Sequence, residues 1–592
     1  MLTPSSRSAV VLSALAITLG LSLAAYAEYV QIPFGWSLFG MGSLPDLYEA
    51  GIEEVQVGLK KKRFTSVDLV KAYLARIEEV NLKGPGLRAV LETNPNALKQ
   101  AAELDKEREA SGPRGPLHGI PILLKDNIAT LHSEGMNTTA GSYALLDSVV
   151  DGESFVAARL RAAGAILLGK CTLSEWANWR GTVPSGFCGR GGQGTNPGIA
   201  GAIGLATGTL GSDTDGSIIS PSSHCNLVGL KPTVGLTSRA GGGCSLSFLC
   251  LRHGSYPRAM HSGPDLGAPG QHWTDVPQRR GLRGHPVRHC GARPHDNYSL
   301  NQPETVPDYT QALKKDGLRD VRLGVPRKVL AGVDANVMIA FNKALEDMKA
   351  LGATIVDPAD FVDEWDHDEV WKREEIVLCG DFKVNIHSYL SKLVEVPTGV
   401  RTVADLITFN EENREKELVE PFWTDQATYV QMAVMFWVES LKCGVSRFIK
   451  SRDTHQDPKF WAALAYDYRM GRQDGVDGLL KKYEVDAILM PTAKASRPAA
   501  VAGYPVLTVP LGFQPPDVAL AEANPTRMNG PGMPFGISFL GTAYSEFQLI
   551  QYAYAYEQAT KHRLEKKAYP EAIPKTQLAD VTKTQLADVI SK

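Results

Sequence analysis

A loop rich in glycine, serine and aspartate spans residues 211–220 and contains Asp215-Gly216-Ser217-Ile218. A serine beside glycine in such a loop can be held with its hydroxyl exposed, while nearby backbone N–H groups point at the atom it attacks. This pattern is typical of nucleophilic attack on a carbonyl carbon. Loops of this composition are also common as simple turns, so the loop alone leaves both interpretations open.

A lysine follows the apolar stretch IPILL at residues 120–124 and directly precedes Asp126-Asn127. The stretch predicts a short buried strand that delivers Lys125 into a polar turn. Partial burial disfavours the ammonium form and lowers the pKa, so such a lysine can act as a base near neutral pH. A lysine that merely reaches solvent from a strand end is the structural alternative.

These two segments belong to a longer ordered set of motifs, which includes LSEWANWRG from Leu173, GRGGQ from Gly189, VGLKPTVGL from Val228 and PFGISFLGTA from Pro534. The set resembles the amidase signature family, serine hydrolases of carboxylic amides with a Ser–cis-Ser–Lys triad. The resemblance covers most of residues 45–565. It implies the α/β class, as a single large α/β/α domain whose mixed central sheet is covered by helices.

The resemblance also implies roles for individual residues. Ser217 would be the nucleophile that forms an acyl-enzyme, and Lys125 the general base that later protonates the leaving amine. The oxyanion hole would be built from the backbone N–H groups of Thr214, Asp215, Gly216 and Ser217. This chemistry requires no metal and no organic cofactor, and its partner is a small-molecule amide.

The relay serine of the triad is missing from its expected place. The family supplies it from a loop of the GSSSG type, about two dozen residues before the nucleophile. Here no serine lies between Ser185 and Ser212, and ungapped counting from Ser217 reaches Gln193. Thr195 is the nearest hydroxyl, but nothing in the sequence supports its geometry. We therefore assign no residue to the relay role.

The segment 239–295 has an atypical composition. It holds six of the thirteen histidines and three of the eight cysteines, and it has no Lys, Glu, Ile or Asn. Its His and Cys spacings match no standard zinc pattern, and its sparse aromatics disfavour an RNA-binding insert. Translation in a wrong frame, or a mis-spliced transcript, is the favoured interpretation. We expect this segment to be poorly ordered or loosely packed.

The elements that must position the site are predicted from local patterns. Thr65 to Asp68 reads as a capping box before an amphipathic helix. A second helix is expected from Ser154 to Ala163, followed by the strand AILLG at residues 165–169. The strand-like VGL of residues 228–230 leads into Lys231, for which a structural role is expected.

The chain ends carry separate predictions. Residues 1–27 combine Arg7 with an apolar run that ends in Ala-Tyr-Ala, which indicates a secretory signal peptide cleaved after Ala27, or an uncleaved signal anchor. The protein is therefore expected in the secretory pathway or outside the cell, without stable membrane contact unless the signal persists. Residues 566–592 contain KTQLADV twice and are expected to form a mobile tail.

The bulk composition agrees with these predictions. A chain of 592 residues with 43% hydrophobic content can bury a large core, and its net charge of −3 gives no sign of nucleic-acid binding. Three interpretations stay open. The chain is an amidase acting through Ser217 and Lys125, or a catalytically impaired relative that binds without turnover. Alternatively, a splicing or reading-frame error has altered the sequence of an active amidase.

Overall fold

The fold is built around one mixed sheet. The computed structural model describes residues 44–181, 185–196, 198–239, 247–251, 299, 302–303, 305–419, 447–523, 526–527 and 529–582. In chain order its strands are β1 (Val90–Thr93), β2 (Pro121–Lys125), β3 (Ile166–Cys171), β4 (Phe187–Cys188), β5 (Gly192–Gln193), β6 (Gly208–Ser212), β7 (Val228–Lys231), β8 (Ser247–Leu251), β9 (Arg322–Gly324), β10 (Thr354–Val356), β11 (Ala487–Pro491), β12 (Val506–Phe513) and β13 (Pro534–Leu540).

The large sheet contains eleven of these strands, in the order β1-β3-β2-β6-β8-β7-β12-β13-β11-β9-β10, while β4 and β5 form a separate pair. Strand β2 runs parallel to its neighbours β3 and β6, whereas β7 and β12 pair with each other in the antiparallel direction. Every residue of β2, β3, β7 and β11 is buried. Strands buried along their whole length are covered on both faces. The predicted α/β class with a mixed central sheet is confirmed.

The described residues also form α-helices, fifteen of which are numbered here in chain order. They are α1 (Ile52–Lys60), α2 (Ser66–Val80), α3 (Ala97–Ser111), α4 (Phe155–Ala162), α5 (Ile199–Ala202), α6 (Ile219–His224), α7 (Ala335–Ala350), α8 (His367–Ser391), α9 (Val403–Glu412), α10 (Arg414–Glu417), α11 (Arg447–Asp453), α12 (Pro458–Tyr468), α13 (Asp477–Tyr483), α14 (Thr492–Ala502) and α15 (Glu546–Thr560).

The predicted helix starts are confirmed by their capping contacts. The Thr65 hydroxyl accepts from the Asp68 N–H at 3.1 Å, and the Asp68 carboxylate accepts from the Thr65 N–H at 2.9 Å. This reciprocal pair satisfies two N–H groups that the first turn of α2 leaves unbonded. At the start of α4 the cap is one-sided: the Ser154 hydroxyl accepts from the Ala157 N–H at 3.2 Å.

One strand of the sheet comes from the atypical segment. Backbone pairing places β8 between β6 and β7, antiparallel to both. Residues 247–251 thus have a paired backbone, while the expectation that the segment is poorly ordered or loosely packed stays a prediction. This pairing satisfies N–H and C=O groups on the facing edges of β6 and β7. Most of the remainder of 239–295 lies outside the described residues.

The C-terminal stretch packs against the domain up to Thr582, in contrast to the mobile tail expected from residue 566. The fully buried Arg76 donates to the carbonyls of Pro574 and Thr576, at 3.1 and 2.6 Å. The Glu79 carboxylate accepts from two backbone N–H groups of the same stretch, and Leu578 is fully buried. The repeat thus has an apolar anchor and polar partners on α2.

The predicted signal segment, residues 1–27, and the last ten residues lie outside the described part of the chain. Within the described ranges, no helix is both long and apolar enough to cross a membrane.

Candidate active site

Two parallel strands bring the predicted base to the nucleophile loop. Strand β2 ends at Lys125 and its neighbour β6 ends at Ser212, in the register Leu124 to Leu210. The carboxyl ends of parallel strands lie at one edge of a sheet, where α/β proteins commonly place their chemistry. The Lys125 ammonium donates to the Ser212 carbonyl oxygen at 3.0 Å.

Lys125 is removed from solvent, with 8% of its surface exposed. Burial disfavours the ammonium form and lowers the pKa of Lys125 to about 8, although the nearby Asp213 carboxylate opposes this effect. About a tenth of the Lys125 side chains are therefore neutral at pH 7, and the neutral fraction grows as the pH rises. This is the protonation state that a general base needs.

The loop after β6 is folded around the buried carboxylate of Asp213. Its two oxygens accept from the N–H groups of Gly216 at 2.8 Å and Ile218 at 2.7 Å. Gly216 has φ of +89°, a conformation that residues with a Cβ rarely adopt. The turn leaves Ser217 partly exposed on the wall of a cleft.

The predicted oxyanion donors are not equivalent in this loop. The Gly216 N–H already donates to Asp213, so the structure directs that group away from the cleft. Within the described residues the N–H groups of Asp215 and Ser217 donate no hydrogen bond, and Thr214 also lines the cleft. Gly216 is therefore the weakest candidate among the four predicted oxyanion donors. An N–H group that is already bonded to Asp213 cannot stabilise an oxyanion as well as a free one.

Gln193 and Thr195, the residues nearest the expected position of the relay serine in the sequence, do not line the cleft beside Ser217. The Thr195 hydroxyl donates to the Leu87 carbonyl at 2.8 Å, and the Gln193 side chain donates to the Ser185 and Gly194 carbonyls. Neither contributes to the wall of the cleft in the described part of the chain. The relay role stays unassigned.

A second buried lysine, Lys231, lies within electrostatic range of the loop carboxylate Asp213. The ammonium of Lys231 donates to the carbonyls of Pro232 and Tyr504, at 3.1 and 2.8 Å. Burial lowers the pKa of Lys231 to about 8, while Asp213 and Glu546 raise it. These contacts fit the structural role predicted for Lys231, because they connect β7 to the residues just before β12.

The cleft beside Ser217 has a volume of about 1290 Å³. One wall carries a charged cluster that the sequence analysis missed: Arg497 pairs with Asp215 at 3.0 Å and lies 3.6 Å from Glu374. Trp371 packs on Arg497, with 4.4 Å between the guanidinium carbon and the ring centre. These residues come from distant parts of the chain, and no local spacing marks them as partners.

The described residues contain no group of three or more His, Cys, Asp or Glu placed to hold a metal ion. The His and Cys positions noted in the sequence, Cys244, Cys250, His253, His285, His289 and Cys290, have no described side chains.

Fold and site together define a hydrolase of carboxylic amides, and comparison with known proteins agrees. The family model described as Amidase matches residues 68–254. A probable amidase of Arabidopsis thaliana is 34% identical over 539 residues, covering 88% of this chain and 92% of that protein. The chain belongs to the amidase family, and it acts on C–N amide bonds.

Solved structures show the same relationship. Native peptide amidase from Stenotrophomonas maltophilia is 31% identical with a TM-score of 0.70, covering 87% of this chain and 98% of that one. An amidase family protein from Bacillus anthracis is 26% identical with a TM-score of 0.69, covering 88% and 92%. The amidase signature fold therefore extends over nearly all of the described domain.

Proposed function

We propose that amide hydrolysis proceeds through an acyl-enzyme on Ser217. The Ser217 hydroxyl proton passes to the base as the Ser217 oxygen bonds to the amide carbonyl carbon. The C–N bond then breaks, and the amine leaves with that proton from the base. Water next attacks the ester and releases the acid, which restores the hydroxyl. The position of Ser217 on the cleft wall, in a turn shaped by Asp213, carries this proposal.

Lys125 is the base of this proposal. It is buried, lies at the end of the strand next to the nucleophile loop, and has a pKa lowered to about 8. As a neutral amine it can still donate an N–H to the Ser212 carbonyl while its lone pair accepts a proton. The oxyanion is stabilised by the N–H groups of Asp215 and Ser217.

The missing relay limits the rate of this reaction. In the described residues no hydrogen bond joins Lys125 or Ser217 to a serine hydroxyl, and the Ser212 hydroxyl accepts from the Asn127 side-chain amide at 3.0 Å. The proton then has to pass through water, which lacks the fixed orientation of a hydroxyl side chain. We expect turnover to be severely reduced compared with an amidase of this family that has an intact relay loop.

The second candidate function is binding without turnover, and the same missing relay favours it. The two are separated by offering the full chain aryl amides and a fluorophosphonate that labels activated serines. Labelling that is lost in Ser217→Ala but kept in Ser111→Ala, an exposed helix-end serine, supports the hydrolase. A folded protein whose Ser217 is never labelled supports the binding role instead.

A third proposal concerns the transcript rather than the protein. If residues 190–300 reflect a splicing or reading-frame error, resequencing the transcript is expected to reveal a Gly/Ser-rich loop between residues 193 and 204. Expression of the restored sequence would then give Lys125-dependent turnover far above that of the present chain. An unchanged sequence would exclude this explanation.

We also propose entry into the secretory pathway, supported by the apolar run and the Ala-Tyr-Ala ending within residues 1–27. N-terminal sequencing of the protein secreted by a eukaryotic host is expected to begin at Glu28. Retention of Met1 in a membrane fraction would point to the signal anchor, and retention in the cytosol would contradict the proposal.

A further inference from the structure

The charged cluster on the cleft wall has more acceptors than the described donors satisfy. Arg497 directs both Nε and Nη2 at the same oxygen of Asp215, Oδ2, at 3.1 and 3.0 Å. The other oxygen, Oδ1, is buried and has no hydrogen-bond partner in the described residues. Buried carboxylate oxygens are normally hydrogen-bonded, so the hydrogen-bonding capacity of this one is unmet in the described residues.

Glu374 adds a second such oxygen. It projects from α8 with 6% of its surface exposed, and it lines the same cleft. Its Oε2 lies 3.6 Å from the Arg497 Nε, too far for a hydrogen bond, and the described residues offer it no other donor. One guanidinium thus faces two carboxyl groups and saturates neither.

The other nearby cation is engaged elsewhere. Arg447 donates to the Asn178 carbonyl at 3.0 Å, and its guanidinium lies over the rings of Trp179 and Trp371, at 5.0 and 5.4 Å. In the described residues it makes no hydrogen bond to Asp215 or Glu374. Asp215 and Glu374 both line the cleft, and neither unpaired oxygen has a second described cation bonded to it.

We propose that Asp215, Glu374 and Arg497 form a recognition subsite for a protonated amine on the substrate. Asp215 stands two residues before Ser217 and lines the same cleft, so a group bound there shares the cleft with the scissile amide. Amino-acid amides with a free α-ammonium are the smallest substrates of this class. This assignment rests on the proposed role of Ser217, and it narrows the substrate from amides in general to cationic amides.

The protonation of Glu374 gives the subsite a measurable signature. Burial and the charges of Asp215 and Asp467 raise its pKa well above the usual range, and Arg497 and Arg447 oppose this only in part. An ammonium ion beside Glu374 favours the carboxylate form. Binding of a cationic amide is therefore accompanied by release of a proton.

Binding is measured on the full chain carrying Ser217→Ala, so that turnover plays no part. Calorimetry at pH 6.5 compares alaninamide with 2-methylpropanamide, in which a methyl group replaces the ammonium, and with N-acetylalaninamide. The α-amino group stays protonated at this pH. We expect alaninamide to bind at least about tenfold more tightly than either neutral amide, with proton release detected from the buffer dependence of the heat.

The matched variants add Glu374→Gln or Glu369→Gln to the same chain. Glu369 lies on the same helix α8 but pairs with Arg373 outside the cleft. Glu374→Gln is expected to reduce the preference for alaninamide about tenfold and to abolish proton release, while Glu369→Gln leaves both unchanged. If the chain with Glu374→Gln does not fold, the comparison of the three amides on the chain carrying only Ser217→Ala still tests the subsite.

Equal or weaker binding of alaninamide overturns the subsite, and so does tighter binding of N-acetylalaninamide or a preference that survives Glu374→Gln. Absence of binding by all three amides overturns it as well. Failure of the Ser217 proposal is recognised separately, because it shows as absent fluorophosphonate labelling of the parent chain and leaves this binding experiment unaffected.

Discussion

The ammonium nitrogen of Lys125 lies 3.0 Å from the carbonyl oxygen of Ser212, across the ends of two adjacent parallel strands. This hydrogen bond fixes the lysine against the root of the nucleophile loop, five residues before Ser217. It persists after the lysine loses a proton, because a neutral amine keeps two N–H groups. The base is thus positioned in the same way in both protonation states.

The first prediction concerns the pH dependence of catalysis. A base must be neutral, and burial lowers the pKa of Lys125 to about 8. We expect kcat/KM for an aryl amide to rise about tenfold per pH unit below 8 and to level above it. Lys125→Met is expected to remove the residual activity together with this titration. A profile that is flat between pH 6 and 9 would exclude Lys125 as the base.

The second prediction tests the turn at Gly216. With φ of +89° and an added Cβ only 3.2 Å from the Ser496 Cβ, Gly216→Ala strains the loop that presents Ser217. We expect a loss of about 1–2 kcal/mol in stability and fluorophosphonate labelling at least about tenfold slower.

Gly86→Ala is the matched control for this change. Gly86 has φ of +63°, but an added Cβ meets nothing within 4 Å. It is expected to lose a similar stability while labelling at the parent rate. If both variants label equally fast, the conformation of Gly216 does not matter for the nucleophile.

Local patterns predicted the parts of the site that belong to single elements. The apolar stretch before Lys125 does form a strand, and the glycine-rich loop does follow the neighbouring strand, because burial along a strand is encoded over five or six residues. The capping box at Thr65 has the same local origin. Each of these features is decided by neighbours in sequence.

The charged cluster and the tail contact could not be predicted in this way. Arg497 meets Asp215 across 282 positions of sequence separation, and no periodicity connects them. Arg76 is fully buried, and its guanidinium donates to carbonyls of residues 203–204 and of the C-terminal stretch, all distant in sequence. Such contacts depend on tertiary packing, which composition and spacing do not determine.

The third prediction concerns stability at alkaline pH. Burial lowers the pKa of Lys125, Lys170 and Lys231 to about 8 each, below the usual value near 10.4. Between these pH values the unfolded chain binds more protons than the folded one, so the free energy of unfolding rises with pH.

Above pH 10 the sign reverses. Burial raises the pKa of Tyr309 and Tyr556, so the unfolded chain loses these protons first and stability falls. Urea midpoints are therefore expected to increase from pH 8 to about 10 and then to decrease. Lys125→Met is expected to show a shallower increase. A midpoint that declines steadily from pH 8 would show that these lysines are charged in the folded state.

The fourth prediction tests whether the C-terminal stretch is part of the domain. A chain ending at Ile573 loses the Pro574 and Thr576 carbonyls that accept from the buried Arg76, and also the buried Leu578. The partly unsatisfied Arg76 charge and the lost Leu578 contact together are expected to reduce the free energy of unfolding by roughly 2–5 kcal/mol.

The control is a chain ending at Thr582, which keeps all of these contacts. Its free energy of unfolding is expected to match that of the full chain. Urea unfolding of the three chains measures the difference, and equal midpoints would mean that Arg76 finds other acceptors and the stretch contributes nothing to stability.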